Sequence, residues 1–464
     1  MIGLYIRLTS IVFIVATIGC QPIMAQETVF ETAAEAVKNM RVGWNLGNTL
    51  ESNSGDTLNM WIEHWTDRTP AAYEAAWGQT VVDSELFQLL KEAGFNAVRV
   101  PVTWYPHMEA KFKFNSYNNS IWYPSKDDIG TQVQADWMQR VKQIVDYIIS
   151  QDMYCILNVH HDTGASNTAW LIADESTYAR QRERFEAIWR QISEEFKDYG
   201  ERLLFEGYNE MLDVKRSWCF ASFGATGNYN AAIAKSAYNA INSYAQSFVN
   251  AVRSTGGNNA QRNLVVCTYG ACDGSGTWSS HLQDPLKEMK LPEDVTPGHL
   301  FFEVHHYPKI KNLDAGKAEL SRVIRNLNNY LVSKGAPVII GEWGSSMEKE
   351  SEAYEEELAA FDRFFMAQTK ANNIATFHWM GISEGADRTV PKISEPELVE
   401  AMMEGYYGEG GYQTGIRPTE TLPRTADVYT VTGIKLTRQA PAIQRPPLPG
   451  KGIYIVNGRK KTSK

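Results

Sequence analysis

Short, continuously apolar runs recur eight times between about residue 40 and residue 407 of this 464-residue chain, and amphipathic stretches separate them. The apolar runs are Arg41–Trp44, Ala97–Val100, Tyr154–Val159, Leu203–Tyr208, Leu264–Cys267, Leu300–Val304, Val338–Ile340 and Ile374–His378. The amphipathic stretches include Ser84–Ala93, Ala135–Ser150, Tyr178–Tyr199, Ala231–Val252, Ala318–Val332 and Ser351–Lys370. Parallel strands that are buried on both faces have this continuous apolar character, and helices that pack on a core have one apolar stripe. The pattern therefore predicts eight β/α repeats.

Eight β/α repeats favour an α/β fold in which the strands close into a (β/α)8 TIM barrel. A doubly wound open sheet is the alternative, and it normally carries a glycine-rich phosphate loop after its first strand. The run Gly43-Trp44-Asn45-Leu46-Gly47 does not have that spacing. In a TIM barrel the chemistry is carried at the C-terminal ends of the strands, so a functional site is expected there.

The segments that flank the repeats predict a signal, a linker and a tail. Residues 1–25 have the early, short apolar run of an export signal peptide, and that run is too short for a membrane span. Two cleavage positions compete: an ordinary one after Ala25, and a lipoprotein one before Cys20, whose lipid would be the only membrane contact. We expect the barrel domain over residues 30–407, a linker over 408–425 and a C-terminal tail over 426–464, too short for a robust core of its own.

Composition and cysteine placement limit the partners of the chain. The net charge of -9 at pH 7 argues against a nucleic-acid partner, because nucleic-acid-binding proteins usually present a basic stripe. Cys155 and Cys267 fall in apolar runs and are predicted to be small buried side chains. Cys219 and Cys272 lie in loop-like stretches and could pair in an oxidising compartment. The cysteine spacings are not typical of a zinc site.

Two glutamates follow apolar runs that are far apart in the chain. Glu210 comes after Leu203–Tyr208, and Glu342 comes after Val338–Ile340. A barrel would bring both to the same face. Paired carboxyl groups suit hydrolysis of a glycosidic bond, in which one protonates the leaving oxygen and the other attacks the anomeric carbon or activates water. The 13 Trp and 22 Tyr residues fit a sugar-binding cleft, and they also fit ordinary packing.

Further polar and aromatic side chains lie at or just after predicted strands: Arg99, His160, His161, Asn209, His305, His306, Tyr307 and Trp379. An arginine in a buried strand suits holding a carboxylate ionised. A metal centre is the alternative use of the histidines. Because adjacent residues of a strand point to opposite faces, each His-His pair is expected to offer one inward ligand, which is too few for a metal centre. We therefore predict no metal and no cofactor.

Taken in order, these motifs resemble glycoside hydrolase family 5, the cellulase-type family of clan A, over roughly residues 36–405, and Trp77-Gly78 resembles its endoglucanase and xyloglucanase branches. The motifs are Gly43-Trp44-Asn45-Leu46-Gly47-Asn48-Thr49-Leu50-Glu51, Gly94-Phe95-Asn96-Ala97-Val98-Arg99-Val100-Pro101, Asn158-Val159-His160-His161, Asn209-Glu210, His305-His306-Tyr307 and Gly341-Glu342-Trp343-Gly344. The resemblance implies a (β/α)8 barrel and a retaining reaction, with the two carboxyl groups about 5–5.5 Å apart.

The resemblance also implies roles for individual residues. Glu210 would be the general acid/base and Glu342 the nucleophile, with Arg99 holding Glu342 ionised. Active-site support would come from His160, Asn209, His305 and Tyr307. Sugar contacts would come from Trp379, Asn45, Glu51 and His161. The family often has proline after its acid/base, whereas Met211 follows Glu210 here, which leaves the subfamily open.

These implications predict an exported endo-β-1,4-glucanase that acts on cellulose or mixed-linkage β-glucan. A xyloglucanase or a β-mannanase of the same family is the alternative, and a non-catalytic glycan-binding barrel is the alternative from another class. The expected partner is a β-glucan polysaccharide. The tail, with Gly452-Ile453-Tyr454 and a basic end, resembles the sorting tails of exported proteins.

Overall fold

The computed structural model describes residues 29–56, 60–110, 113–115, 120–122, 129–215, 229–276, 279–348 and 354–410, and four strands between 425 and 463. Its core is a closed barrel of eight parallel strands, in which each strand pairs with the next and the last pairs with the first. The strands are β1 (Gly43–Asn45), β2 (Ala97–Val100), β3 (Tyr154–Asn158), β4 (Leu203–Glu206), β5 (Leu264–Cys267), β6 (Leu300–His306), β7 (Val338–Trp343) and β8 (Ala375–Trp379). The predicted (β/α)8 barrel is confirmed.

Helices connect the strands and cover the outside of the barrel. They are α1 (Ala33–Asn39), α2 (Trp61–Trp65), α3 (Pro70–Ala76), α4 (Ser84–Glu92), α5 (Ala135–Ser150), α6 (Glu175–Glu195), α7 (Ala231–Arg253), α8 (Asp284–Glu288), α9 (Leu313–Tyr330), α10 (Tyr354–Ala371) and α11 (Pro396–Tyr407). Several begin after a residue whose side chain accepts a hydrogen bond from a first-turn N–H, as Asp83, Asp174, Asn230 and Asn312 do. Such caps satisfy backbone donors that have no partner within the helix. No helix in the described ranges is both long and apolar enough to cross a membrane.

An apolar plug fills the lower half of the barrel. It consists of inward side chains of the strands together with one face of α1: Ala33, Ala36, Val37, Met40, Ala97, Tyr154, Ile156, Leu204, Val265, Phe301, Ile339, Ala375 and Phe377. Residues two apart on a strand share a face. The inward positions that follow Ala97, Leu204 and Phe301 are therefore Arg99, Glu206 and Glu303, and polar side chains lie directly on the plug.

Two strands are longer than the sequence predicts. β6 continues to His306 and β7 continues to Trp343. Val304 pairs with Ile340 but His305 pairs with Glu342, so the irregularity is an extra residue, Gly341, on β7. Bulges of this kind bend a strand and redirect the next side chains, and they are common beside active sites. Glu342 and His305 consequently lie within strands, not in the loops that follow them.

Shorter strands lie outside the barrel. Antiparallel pairs join Met108–Ala110 to Ile129–Val133 and Lys113–Asn115 to Ser120–Trp122, and a parallel pair joins Lys309–Ile310 to Ser346–Met347. In the tail, four strands form an antiparallel sheet in the order Lys435–Pro441, Thr425–Thr430, Gly452–Val456 and Arg459–Ser463.

Cys155 and Cys267 are buried free thiols, as predicted, and Cys272 is disulfide-bonded. Cys219, Cys20 and the predicted signal over residues 1–25 lie outside the described residues, as does most of the predicted linker. The predictions made for them therefore stay predictions.

Candidate active site

Arg99 lies at the centre of the polar layer, fully buried on β2. All five of its N–H groups donate. Nε and Nη2 form a fork on Glu206 at 2.6 and 2.7 Å, and Nη2 also reaches Asn209 Oδ1 at 2.8 Å. Nη1 donates to Asn45 Oδ1 at 3.0 Å and to Glu342 Oε1 at 2.9 Å. A planar fork with every donor used is rigid, so Arg99 fixes the position of Glu342 relative to β1 and β4.

Glu342 is held in its charged form. Besides Arg99, the hydroxyl of Tyr307 donates to its Oε2 at 2.6 Å. Burial alone would raise the pKa of Glu342, but the positive charges of His305 and Arg99 and the hydrogen bonds from Tyr307 and Arg99 lower it below the ordinary value. Hydrogen bonds and opposite charges favour the ionised carboxyl group. Glu342 is thus a buried carboxylate with two donors fixing its orientation.

Glu210 faces Glu342 across one imidazole ring. His305 Nδ1 lies 2.9 Å from Glu210 Oε1 and 3.5 Å from Glu342 Oε2. A carboxylate oxygen of Glu210 and one of Glu342 lie within 4.8 Å of each other. Burial opposes the charge of His305, but Glu342, Glu210 and Glu303 outweigh it and raise the pKa of His305 to about 10. The structure therefore brings the two predicted carboxyl groups together around a cationic ring.

His160 is neutral and is held by the amide group of Asn158. The Oδ1 atom of Asn158 accepts from the Val102 N–H at 3.0 Å, so its Nδ2 group donates, to Glu206 at 2.9 Å and to His160 Nδ1 at 3.0 Å. Burial lowers the pKa of His160 well below its usual range, and the nearby positive charges of Arg99 and His305 act in the same direction. His160 Nε2 lies 3.8 Å from Glu342 Oε1 and 3.4 Å from Asn209 Nδ2.

Aromatic rings flank the two carboxyl groups. The Trp379 ring lies parallel to that of His160, with centroids 5.8 Å apart, and retains slight exposure. His161 is partly exposed, and its ring lies 5.6 Å from Trp77 and 4.5 Å from His160. Burial lowers the pKa of His161 to about 4, so this ring is also neutral. Flat, uncharged rings of this kind suit the apolar faces of sugars.

Two predicted sugar contacts lie elsewhere than expected. Asn45 is fully buried; its amide donates to the carbonyl groups of Gly341 and Phe377 at 2.9 and 3.1 Å, and its oxygen accepts from Arg99. Glu51 is also fully buried, and it accepts hydrogen bonds from the backbone N–H groups of Asn48 and Thr49. Neither side chain presents surface to a ligand, so the structure places both in the wall of the site and not at its surface.

The two His-His pairs differ from each other. His305 turns inward to Glu210, whereas His306 turns outward, where its Nδ1 lies 2.5 Å from Asp273. The expectation of one inward ring per pair is wrong for His160 and His161, because β3 ends at Asn158 and strand alternation no longer applies beyond it.

Among the residues that the structure describes, Glu210, His305 and Glu342 come closest to a metal-ligand set, with ligand atoms within 4.8 Å of one another. The Arg99 guanidinium lies 2.9 Å from Glu342, and the pKa of about 10 keeps His305 charged at neutral pH. Two positive charges at these distances oppose the binding of a cation. The set fits an anionic nucleophile better than it fits a metal centre.

Two buried acids of the site were not among the predicted site residues. Glu206 at the end of β4 accepts the fork of Arg99, and Glu303 on β6 lies 3.4 Å from Arg99 Nε. The sequence did contain a signal for both residues, because each is a glutamate at an inward position of an otherwise apolar strand. A buried carboxylate requires a partner charge, and Arg99 is the arginine that a strand places at the same depth.

Comparison with known proteins agrees with this geometry. The family model described as Cellulase (glycosyl hydrolase family 5) matches residues 61–385. Endoglucanase B of Neocallimastix patriciarum is 30% identical over 406 residues, which cover 84% of this chain and 75% of that protein. Endoglucanase A of Clostridium longisporum is 30% identical over 370 residues, which cover 76% of this chain but only 60% of that protein.

Solved structures give the same result. A GH5-4 broad specificity endoglucanase from an uncultured bacterium is 48% identical, with a TM-score of 0.72 over 83% of this chain and 99% of that one. PbGH5A from Prevotella bryantii B14, solved with a xyloglucan tetradecasaccharide, is 36% identical, with a TM-score of 0.66 over 81% of this chain and 99% of that one. Together with the family match, these similarities establish that the chain belongs to glycoside hydrolase family 5 and is a cellulase-like glycoside hydrolase.

Proposed function

We propose that the chain is an exported, retaining endo-β-1,4-glucanase that hydrolyses cellulose or mixed-linkage β-glucan. The observation that carries this proposal is that two neighbouring carboxyl groups have different hydrogen-bond partners. Glu342 is bound by Arg99 and Tyr307, which favour its charge, whereas Glu210 shares a hydrogen bond with one ring nitrogen of His305. Two carboxyl groups in different environments can take the two different roles that the reaction needs.

In the first step, Glu342 attacks the anomeric carbon and Glu210 gives its proton to the leaving glycosidic oxygen. The C–O bond to the leaving sugar breaks as a C–O bond to Glu342 forms, and the enzyme then carries a covalent glycosyl ester. A permanently charged arginine at 2.9 Å keeps the nucleophile ionised without holding both of its oxygens.

In the second step, water replaces Glu342 at the anomeric carbon and gives a proton to Glu210. The ester has removed the negative charge of Glu342, so the positive charges of Arg99 and His305 now favour the ionised form of Glu210. Glu210 is thereby converted from acid to base between the two steps, and Glu342 leaves as a carboxylate to which Tyr307 again donates.

The spacing of the carboxyl groups supports retention. Retaining glycosidases place the groups about 5–5.5 Å apart, whereas inverting ones leave about 6.5–9.5 Å for a water molecule. The oxygens of Glu210 and Glu342 that face each other lie within 4.8 Å. This separation is closer to the retaining range than to the inverting one.

Asn209 and Trp379 are the sugar contacts that the geometry supports best. The Oδ1 atom of Asn209 accepts a hydrogen bond from Arg99. The Nδ2 group of Asn209 therefore points away from the guanidinium and can donate to a sugar hydroxyl. The ring of Trp379 provides an apolar face beside the carboxyl groups. We also assign His161, with Trp77 behind it, to the cleft wall.

Xyloglucan is the second candidate substrate. The Prevotella bryantii structure was solved with a xyloglucan oligosaccharide, and that chain is 36% identical to this one. The broad specificity endoglucanase from an uncultured bacterium is more similar, at 48% identity. The stronger similarity is thus to an endoglucanase, which is the reason for placing endoglucanase activity first.

A panel of polysaccharides tests the substrate. We expect reducing ends to be released from carboxymethylcellulose and lichenan, less from xyloglucan and glucomannan, and none from xylan. A chelator in parallel reactions should leave the rates unchanged, because the two carboxyl groups need no metal. Higher activity on xyloglucan than on lichenan would transfer the assignment to that substrate. The proposal would be overturned if the folded protein released no reducing ends from any polysaccharide of the panel, or if it lost activity with chelator.

We propose export from residues 1–25, whose early apolar run has the pattern of a signal peptide. Expression of the full chain in a Gram-negative host should give a mature protein that begins near Gln26, or one that begins at a lipidated Cys20. The mass of the mature N-terminus distinguishes the two, and Cys20→Ala should abolish membrane association only in the second case. A protein that keeps Met1 and stays in the cytosol would contradict export.

A further inference from the structure

Glu303 is a buried acid of the barrel interior for which the proposed reaction gives no role. It lies on β6 two residues before His305, so both side chains point inward. Its Oε1 atom is 3.4 Å from Arg99 Nε and 3.5 Å from His305 Nε2. Within the described ranges, neither oxygen of Glu303 has a regular hydrogen-bond partner, and His305 Nε2 has none either. The two unsatisfied groups face each other.

The neighbouring strand makes room for this carboxyl group. A Cβ atom on Gly341 would lie 1.6 Å from Glu303 Oε1, far inside contact distance. A glycine within a strand often marks a close approach by another group. Here the residue directly before Glu342 has no side chain, and the carboxyl group of Glu303 occupies the space beside it.

The surroundings of Glu303 decide its charge. The titratable and charged groups that face it are Arg99, Glu206, Tyr208, Cys267 and His305. Burial and the negative charge of Glu206 raise the pKa of Glu303 to about 7, and the positive charges of Arg99 and His305 limit the rise. Glu303 therefore changes charge near neutral pH, whereas an exposed glutamate would have done so well below it.

His305 connects Glu303 to Glu210. Its Nε2 atom faces Glu303 and its Nδ1 atom lies 2.9 Å from Glu210 Oε1. A carboxylate behind one nitrogen of an imidazole favours the proton on that nitrogen and so determines what the other nitrogen can do. With one proton held on Nε2, His305 Nδ1 and Glu210 have one further proton between them. The ring is cationic while that proton is on Nδ1, and it is neutral and accepts a hydrogen bond from the acid when that proton is on Glu210.

We propose that Glu303 is a positioning residue that keeps a proton on His305 Nε2, so that His305 Nδ1 shares a single proton with Glu210. The inference rests on the proposed role of Glu210. When Glu210 gives its proton to the leaving oxygen, the bonds at Nε2 do not change, and the Nε2 proton stays directed at Glu303. When water later returns a proton to Glu210, the starting arrangement is restored.

The first test is the pH profile of kcat/KM for Glu303→Gln on lichenan. A negative charge near the Glu210–His305 pair favours its protonated form, so removal of the charge lowers the pKa with which the pair loses its proton. The basic limb should move to lower pH by about one unit, an approximately tenfold loss on that limb. KM should change little, because Glu303 lies beneath the site and has no exposed surface.

Glu74→Gln is the matched control. Glu74 is a fully buried glutamate bound by an arginine, Arg140, on the outside of the barrel. Its variant should keep the wild-type pH profile even if its thermal midpoint falls. A Glu303→Gln profile that coincides with the wild type, or that falls equally at every pH, would overturn the positioning role.

A second measurement needs no variant of Glu303. The ¹⁵N shifts of the His305 ring in the full wild-type chain report which nitrogen carries the proton, with the signal assigned by its loss in His305→Gln. We expect a protonated Nε2 throughout the active pH range, and a bare Nε2 would overturn the inference. Full activity of Glu210→Gln would instead overturn the proposed function. If Glu303→Gln keeps the wild-type pH profile while Glu210→Gln is inactive, only the role of Glu303 is overturned.

Discussion

Glutamine in place of Glu342 should lower kcat on lichenan by about 10⁴-fold or more, because an amide cannot form the glycosyl ester. The variant should still fold. Its amide oxygen can accept from Arg99 in place of Oε1, and its amide nitrogen, in place of Oε2, can donate to the hydroxyl oxygen of Tyr307, so both contacts and the shape of the side chain are kept. KM should stay within a few-fold, because substrate binding depends mainly on the cleft walls. Initial rates and a thermal melt on the same preparations measure both effects.

The stereochemistry of a rescued variant gives the sharper test. Glu342→Ala opens a space at the position of the nucleophile, and azide can enter it. One displacement by azide should give a glycosyl azide of inverted anomeric configuration, whereas the wild type retains configuration through two displacements. Glu74→Gln, which removes another arginine-bound buried carboxylate, should remain active. Activity of Glu342→Gln within tenfold of wild type would contradict the assignment.

The barrel could be predicted from the sequence because its strands are buried on both faces. The run Ala97–Val100 and the run Leu264–Cys267 have the same bounds in the structure as in the prediction. The ends of β6 and β7 could not be predicted. Their pairing is irregular after Val304 and Ile340, and such bulges depend on contacts between strands that local patterns do not contain.

Site residues that belong to a recognisable motif could be predicted from the sequence. Residues whose role depends on how deep they lie inside the barrel were harder to predict. Arg99, Tyr307 and Glu342 meet as the family resemblance implies. Glu206 and Glu303 belong to the same polar layer, but each follows apolar residues within its strand, and only the barrel geometry shows that both face Arg99. Motif membership alone suggested Asn45 and Glu51 as sugar contacts, although both are fully buried.

Glutamine in place of Glu210 should have an effect that depends on the leaving group. On lichenan, kcat/KM should fall by about 10²–10⁴-fold, the usual contribution of a general acid. On a dinitrophenyl β-cellobioside the leaving oxygen needs no proton, so formation of the glycosyl ester should stay fast. Its hydrolysis should be slow, because water then lacks a base. The ester should therefore accumulate in this variant.

Stopped-flow measurement separates these steps. The variant should release a burst of dinitrophenolate equal to the enzyme concentration, followed by a slow steady rate and a lowered KM, since the second step limits turnover. Addition of azide should accelerate the steady rate, because azide attacks without a base. Equal losses on lichenan and on the aryl glycoside, with no burst, would mean that Glu210 does not transfer the proton. The ring of His305, 2.9 Å from Glu210, would then be the next candidate for that role.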